Sequence, residues 1–171
     1  MDIKDIYEKA QSLIAQYCTA DPFELSACMG LNVRYADLGS LKGMYKCIAG
    51  NYFIIINSAL DEPLSRAVCC HELCHHILHS HIAGNIGIYE TMLFDMSART
   101  ELEANMLASE LMISDEDMRR LAEEGRSLEE IASITETDVH FVMLKAGLMK
   151  KRGYSFLGDF DIQSDFLGKI N

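Results

Sequence analysis

The stretch His71-Glu72-Leu73-Cys74-His75 sets two imidazoles four residues apart, with a carboxylate directly after the first. On an α-helix, residues at that spacing point within about 40° of each other and lie about 6 Å apart along the axis. Both rings can then grip one metal ion from one face. Glu72 stands about 100° round from His71, where it can reach a water on the metal without ligating the ion. Zinc lowers the pKa of such a water toward about 7, and a carboxylate beside it can take the proton. This is the arrangement of a zinc hydrolase acting on amides. The plainer alternative is a surface helix rich in histidine, because His76, His79 and His81 follow closely.

A catalytic zinc takes three protein ligands and keeps one position open. His81 has the spacing of a third histidine in the metzincin pattern HExxHxxGxxH, but Leu78 stands where that pattern needs the glycine that breaks the helix. Leucine favours continuing the helix, which would carry His81 roughly 15 Å along the axis and away from the ion. Cys74 adjoins His75, and three neighbouring helix positions rarely close on one metal. The remaining source is an acid from Ala98–Ile113, a segment apolar nearly all round and therefore expected to be buried. Two polar stripes interrupt it: Arg99, Glu103 and Glu110 form one, Glu101 and Asn105 the other. A buried carboxylate needs a cation or hydrogen bonds, and either zinc or an Arg99–Glu103 ion pair would serve. Spacing alone does not choose among Glu101, Glu103 and Glu110.

The elements that must position these groups can be read from periodicity and punctuation. Ile3, Ile6, Ala10, Leu13, Ile14 and Tyr17 recur at helical spacing. Asp21-Pro22 opens a second helix to about Met29, and Gly30 closes it. Asn32 to Tyr35 reads as a short strand, and Lys42 to Asn57 as a hairpin turning at Ala49-Gly50-Asn51. Asp61 caps the metal helix, which runs to about Ser80. Gly84 and Gly87 mark a looser stretch up to about Ser97. Helical patterns then cover Ala98–Ile113, Asp115–Gly125 and Leu128–Leu148.

The composition fits one soluble domain: 171 residues, 49% apolar and 24% charged, enough to bury a core. Fifteen basic against 26 acidic side chains leave a net charge of −11, which disfavours direct nucleic-acid binding. Ser127–Leu148 nonetheless has a helix-turn-helix-like rhythm, and Lys145, Lys150, Lys151 and Arg152 would give a small basic patch there. No apolar run reaches the ~18 residues of a membrane span, and the start of the chain lacks a secretory pattern, so a cytoplasmic protein is expected. In that reducing compartment the six cysteines would be free thiols.

The chain resembles the ImmA/IrrE family of bacterial and phage metallopeptidases. The carrying residues are His71-Glu72-Leu73-Cys74-His75 continuing to Leu78-His79, then Glu101-Leu102-Glu103-Ala104-Asn105 with Ala108-Ser109-Glu110-Leu111-Met112. The family reads approximately HELGHxxLH, then ExEAxxFAxxLLMP, and the likeness spans roughly residues 5 to 148. Cys74 stands where glycine is usual, and Leu107 and Ser114 where an aromatic residue and a proline are common. The resemblance implies Zn2+ held by His71, His75 and Glu103, the last because the family's third ligand is the glutamate directly before alanine. It implies Glu72 as the catalytic base and a helix-turn-helix repressor as the protein substrate, whose cleavage releases genes of a mobile element or stress response. The competing expectation is a zinc-bound regulator that binds a repressor or DNA without cutting.

The fold expected is α+β, mostly helical and zincin-like in the gluzincin manner, with a small, mainly antiparallel sheet beside the metal helix. One metallopeptidase domain would span 1–171. Opening helices and a first strand fill 1–35, the metal-site core 36–114 and a helical part 115–152. The tail 153–171 is too apolar to be free but has no assigned structure. Tyr89 and His140 are nominated to steady the oxyanion, and His79 to lie at the edge of the site or on the surface.

Overall fold

The computed structural model describes residues 1–83, 89–90 and 99–156. The opening helix α1 (Ile3–Tyr17) begins with a capping box between Asp2 and Asp5 and buries Ile6, Ala10 and Leu13 on one face. The Asp21 carboxylate accepts from the Phe23 and Glu24 amides to start α2 (Pro22–Cys28), and Gly30 leaves it at φ +77°.

Four strands make one sheet in the order β1-β3-β2-β4. The hairpin of β2 (Gly43–Ile48) and β3 (Asn51–Asn57) turns on Ala49 and Gly50, both at positive φ, the geometry of a tight two-residue turn. β1 (Asn32–Ala36) lies parallel to β3, with Val33 opposite Ile54. β4 (Tyr89–Glu90) pairs antiparallel with β2. Two of the three pairings are therefore antiparallel, as expected, and the parallel edge is β1.

The long helix α3 (Glu62–Ala83) lies across the sheet, over the buried side chains of Tyr45, Ile54 and Ile56. Its other side packs on α4 (Arg99–Met112), which is buried on every side from Ala104 to Met112 because α1 and α7 also pack against it. α5 (Asp115–Glu123), α6 (Leu128–Ile134) and α7 (Val139–Lys151) complete the fold.

The sequence pattern over Leu128–Leu148 thus divides into two helices, parted by a turn in which Glu136 has φ +50° and Asp138 caps α7. That turn does not present a recognition helix. α7 is buried from Phe141 to Met149 save for the half-buried Met143. Nor do the four basic residues form a patch. The Lys145 side chain is fully buried, with its ammonium 2.5 Å from both Glu110 Oε2 and Asp115 Oδ1. Arg152 joins the same cluster, bonding Glu110 and Asp115 and lying over the Tyr7 ring. Among the described residues no helix is long and apolar enough to cross a membrane. Phe156 packs on the core, and the rest of the tail lies outside the described residues.

Candidate metal centre

α3 carries an unusual load for a helix this deep. His71, Glu72 and His75 are 0%, 1% and 3% exposed, among Cys69, Cys70, Leu73 and Cys74, which are all fully buried. Polar groups taken out of water need partners, and the facing helix supplies them. Glu101 and Asn105, four residues apart on α4, share a stripe that meets the two histidines.

Asn105 Oδ1 lies 2.9 Å from His71 Nδ1. An amide oxygen only accepts, so Nδ1 carries the hydrogen and His71 Nε2 turns its lone pair inward. There, His71 Nε2 and His75 Nε2 are 3.1 Å apart, and Glu101 Oε2 is 3.3 Å from each. Three electron-pair donors thus crowd one point, and His75 offers at most one hydrogen among them. Burial lowers the pKa of His71, against the pull of Glu101, so its ring is neutral. What the cluster lacks is positive charge. Ligands about 2.05 Å from a tetrahedral zinc are about 3.3 Å from one another, so a triangle of 3.1, 3.3 and 3.3 Å fits that ion. Two imidazoles and a carboxylate are also its usual hydrolytic donor set.

The structure brings together two of the three ligands expected from sequence and leaves the third outside. Glu103, two residues beyond Glu101, points about 200° away round the helix. Its carboxylate binds the Met1 ammonium and Arg99 Nε, the latter at 2.9 Å, and lies 3.8 Å from His79 Nε2. Glu110 is spent on Lys145 and Arg152. The converging carboxylate is that of Glu101.

α3 runs unbroken past Leu78 to Ala83, so the turn that a metzincin needs before its last histidine is absent. Cys74 is fully buried, but among the described residues the donors that converge on one point are those of His71, His75 and Glu101, without its sulfur. His79 Nε2 reaches the Thr100 carbonyl at 3.2 Å, tying α3 to the start of α4 beside the site. His140 is exposed and bonded to Asp138 at 2.7 Å, where α7 begins. Tyr89 lies in β4, but its side chain is outside the described residues. Sequence reasoning gave Asn105 no role; its one signal was its position four residues after Glu101 on a buried stripe.

Comparison with known proteins gives the same direction. The family profile of the M78 peptidases, described as the IrrE N-terminal-like domain, matches residues 27–156. A protein of Bacillus phage phi105 named "Uncharacterized immunity region protein 2" is 33% identical over 136 residues, covering 79% of this chain and 85% of the phage protein.

Proposed function

Because the chain belongs to the M78 peptidase family of IrrE N-terminal-like domains, and so is a zinc metallopeptidase, we propose that it is a site-specific endopeptidase that cuts a helix-turn-helix repressor. The observation that carries the reading is the triangle of His71, His75 and Glu101 donors, with Glu72 on the same helix between the two histidines. In this proposal those three residues hold the zinc, and Glu101 takes the place the resemblance gave to Glu103. When bound, zinc supplies a Lewis acid that polarises an amide carbonyl and acidifies water.

The protein's own residues do the rest. Asn105 fixes the His71 ring by accepting its Nδ1 hydrogen. Glu72 takes a proton from the attacking water on its carboxylate and returns it to the amide nitrogen as the C–N bond breaks. At 1% exposure its carboxylate works largely out of solvent, where charge interactions are strong.

Two further facts support the substrate class. The phage relative is named for an immunity region. A net charge of −11 complements the basic surface of a DNA-binding domain and suits a protein partner of that kind.

The test is incubation of the zinc-loaded protein with the helix-turn-helix repressor encoded beside its gene, read by mass spectrometry. One discrete cut is expected, lost in Glu72→Gln while that variant keeps its zinc. A stable, uncut complex with the wild-type protein would overturn the reading in favour of a regulator that binds without cutting, and full cleavage by Glu72→Gln would remove Glu72 from the chemistry.

A further inference from the structure

Val68, Glu72 and His76 are spaced four residues apart on α3 and so share one face. That face meets β2. Gly43 and Tyr45, two residues apart on β2, point to the same side of the sheet. Two strand residues advance about 6.8 Å and one four-residue step of a helix about 6 Å, so the two repeats stay in step.

The contacts match that register. A side-chain carbon added to Gly43 would overlap Val68 Cγ1, come 3.3 Å from the Ile55 carbonyl oxygen and 3.5 Å from Glu72 Oε1. One step along, the Tyr45 hydroxyl lies 2.7 Å from His76 Nδ1, and the ring of His76 meets both Tyr45 and Tyr52 edge-on. Tyr45 is 2% exposed, so this hydrogen bond is held in a packed setting. Glu72 therefore sits between two points of attachment: a close approach of bare backbone one helical turn before it, and a half-buried hydrogen bond one turn after it.

We propose that Gly43 and the Tyr45–His76 pair are positioning residues that fix the sheet against α3 and so set where the Glu72 carboxylate stands. The metal ligands do not depend on this contact, because they are held between α3 and α4 and the His71 ring is anchored by Asn105. Gly43 has no need of a positive φ, so its requirement is one of space. The inference rests on Glu72 being the base, but not on the identity of the substrate.

The test uses the zinc-loaded full chain and acetohydroxamic acid, a small chelating acid that gives up a proton to a carboxylate beside the metal. Zinc per chain and the acetohydroxamate Kd are measured for the wild type, Glu72→Gln, Gly43→Ala, Tyr45→Phe, Val68→Ala and Gly43→Ala/Val68→Ala. Gly43→Ala should keep its zinc yet bind the probe roughly 10-fold or more weakly, part of the loss shown by Glu72→Gln. Tyr45→Phe should lose a smaller factor, on the order of threefold. Removing the obstructing methyl groups in Gly43→Ala/Val68→Ala should restore most of the binding, while Val68→Ala alone changes it little.

Wild-type affinity in Gly43→Ala would overturn the proposal. So would loss of zinc together with the probe, since the residue would then serve the fold as a whole. If the wild type binds acetohydroxamate but cuts no repressor, the substrate assignment falls and the positioning role stands on the binding data.

Discussion

Replacing Asn105 with leucine keeps most of its buried volume and removes the oxygen that accepts the His71 Nδ1 hydrogen. Both residues are fully buried, and their contact is 2.9 Å long, so no water replaces the lost partner cheaply. Leaving a buried donor unmet costs about 1–3 kcal/mol. The His71 ring can escape that cost by rotating or by moving its hydrogen to Nε2, and either response takes the lone pair away from the metal. Loss of such an outer partner weakens metal binding by about 10–100-fold, or roughly 1.4–2.8 kcal/mol. The assay is competition for zinc against a chromogenic chelator at fixed pH. Asn105→Asp retains an acceptor at this position and should keep the affinity near that of the wild type. Ser109→Ala is the control: Ser109 is equally buried one turn further along α4, but its hydroxyl donates to the Met106 carbonyl, at 2.9 Å, rather than to the histidines. A folded Asn105→Leu protein whose zinc affinity stays within about twofold of the wild type would refute the reasoning, because the predicted loss is well outside that range.

Lys145→Met should destabilise the fold by about 3–5 kcal/mol in a urea titration, because Glu110 and Asp115 lose the buried ammonium that bonds both; a loss below 1 kcal/mol, by the same estimate, would show the cluster to be incidental. Burial would raise the Asp115 carboxyl, but Lys145 and then Arg152 outweigh it and hold its pKa below the ordinary 3.8. A lowered carboxyl contributes stability that is complete above the unfolded pKa and is lost as pH falls through the folded one. Urea midpoints should therefore decline below about pH 3.8, and less steeply in Lys145→Met. Because ligating imidazoles must be deprotonated, zinc affinity should fall as the medium is acidified and recover on return to neutral pH, read with the same chelator.

Local features were legible wherever the chain itself enforces them. Asp21 and Asp61 announce helix starts with side chains that accept backbone hydrogens, and Ala49-Gly50 announces the hairpin, where both residues take positive φ angles. The helix-turn-helix-like rhythm over Ser127–Leu148 implied a turn but did not locate it, because apolar residues continue at helical spacing on both sides; the structure puts it at 135–138, where Asp138 caps α7. The parallel pairing of β1 with β3 depends on contacts far apart in sequence, to which a local pattern is blind.

The same division runs through the site. His71, Glu72 and His75 lie within one helical turn and declare their geometry by spacing. The third donor depends on how α4 is rotated against α3, which no spacing within α4 records. Glu103 was favoured through resemblance; in the structure it follows its Arg99 partner to the rim, while Glu101 and Asn105 face inward together. Lys145 shows the converse error, since a lysine near other basic residues reads as surface and is in fact the centre of a buried ion cluster.

The most direct test is the zinc content of the purified wild type, Glu101→Gln and Glu103→Gln, measured by elemental analysis after gel filtration. One zinc per chain is expected in the wild type and in Glu103→Gln, with a marked loss in Glu101→Gln. Full zinc in Glu101→Gln alongside its loss in Glu103→Gln would contradict the proposed centre.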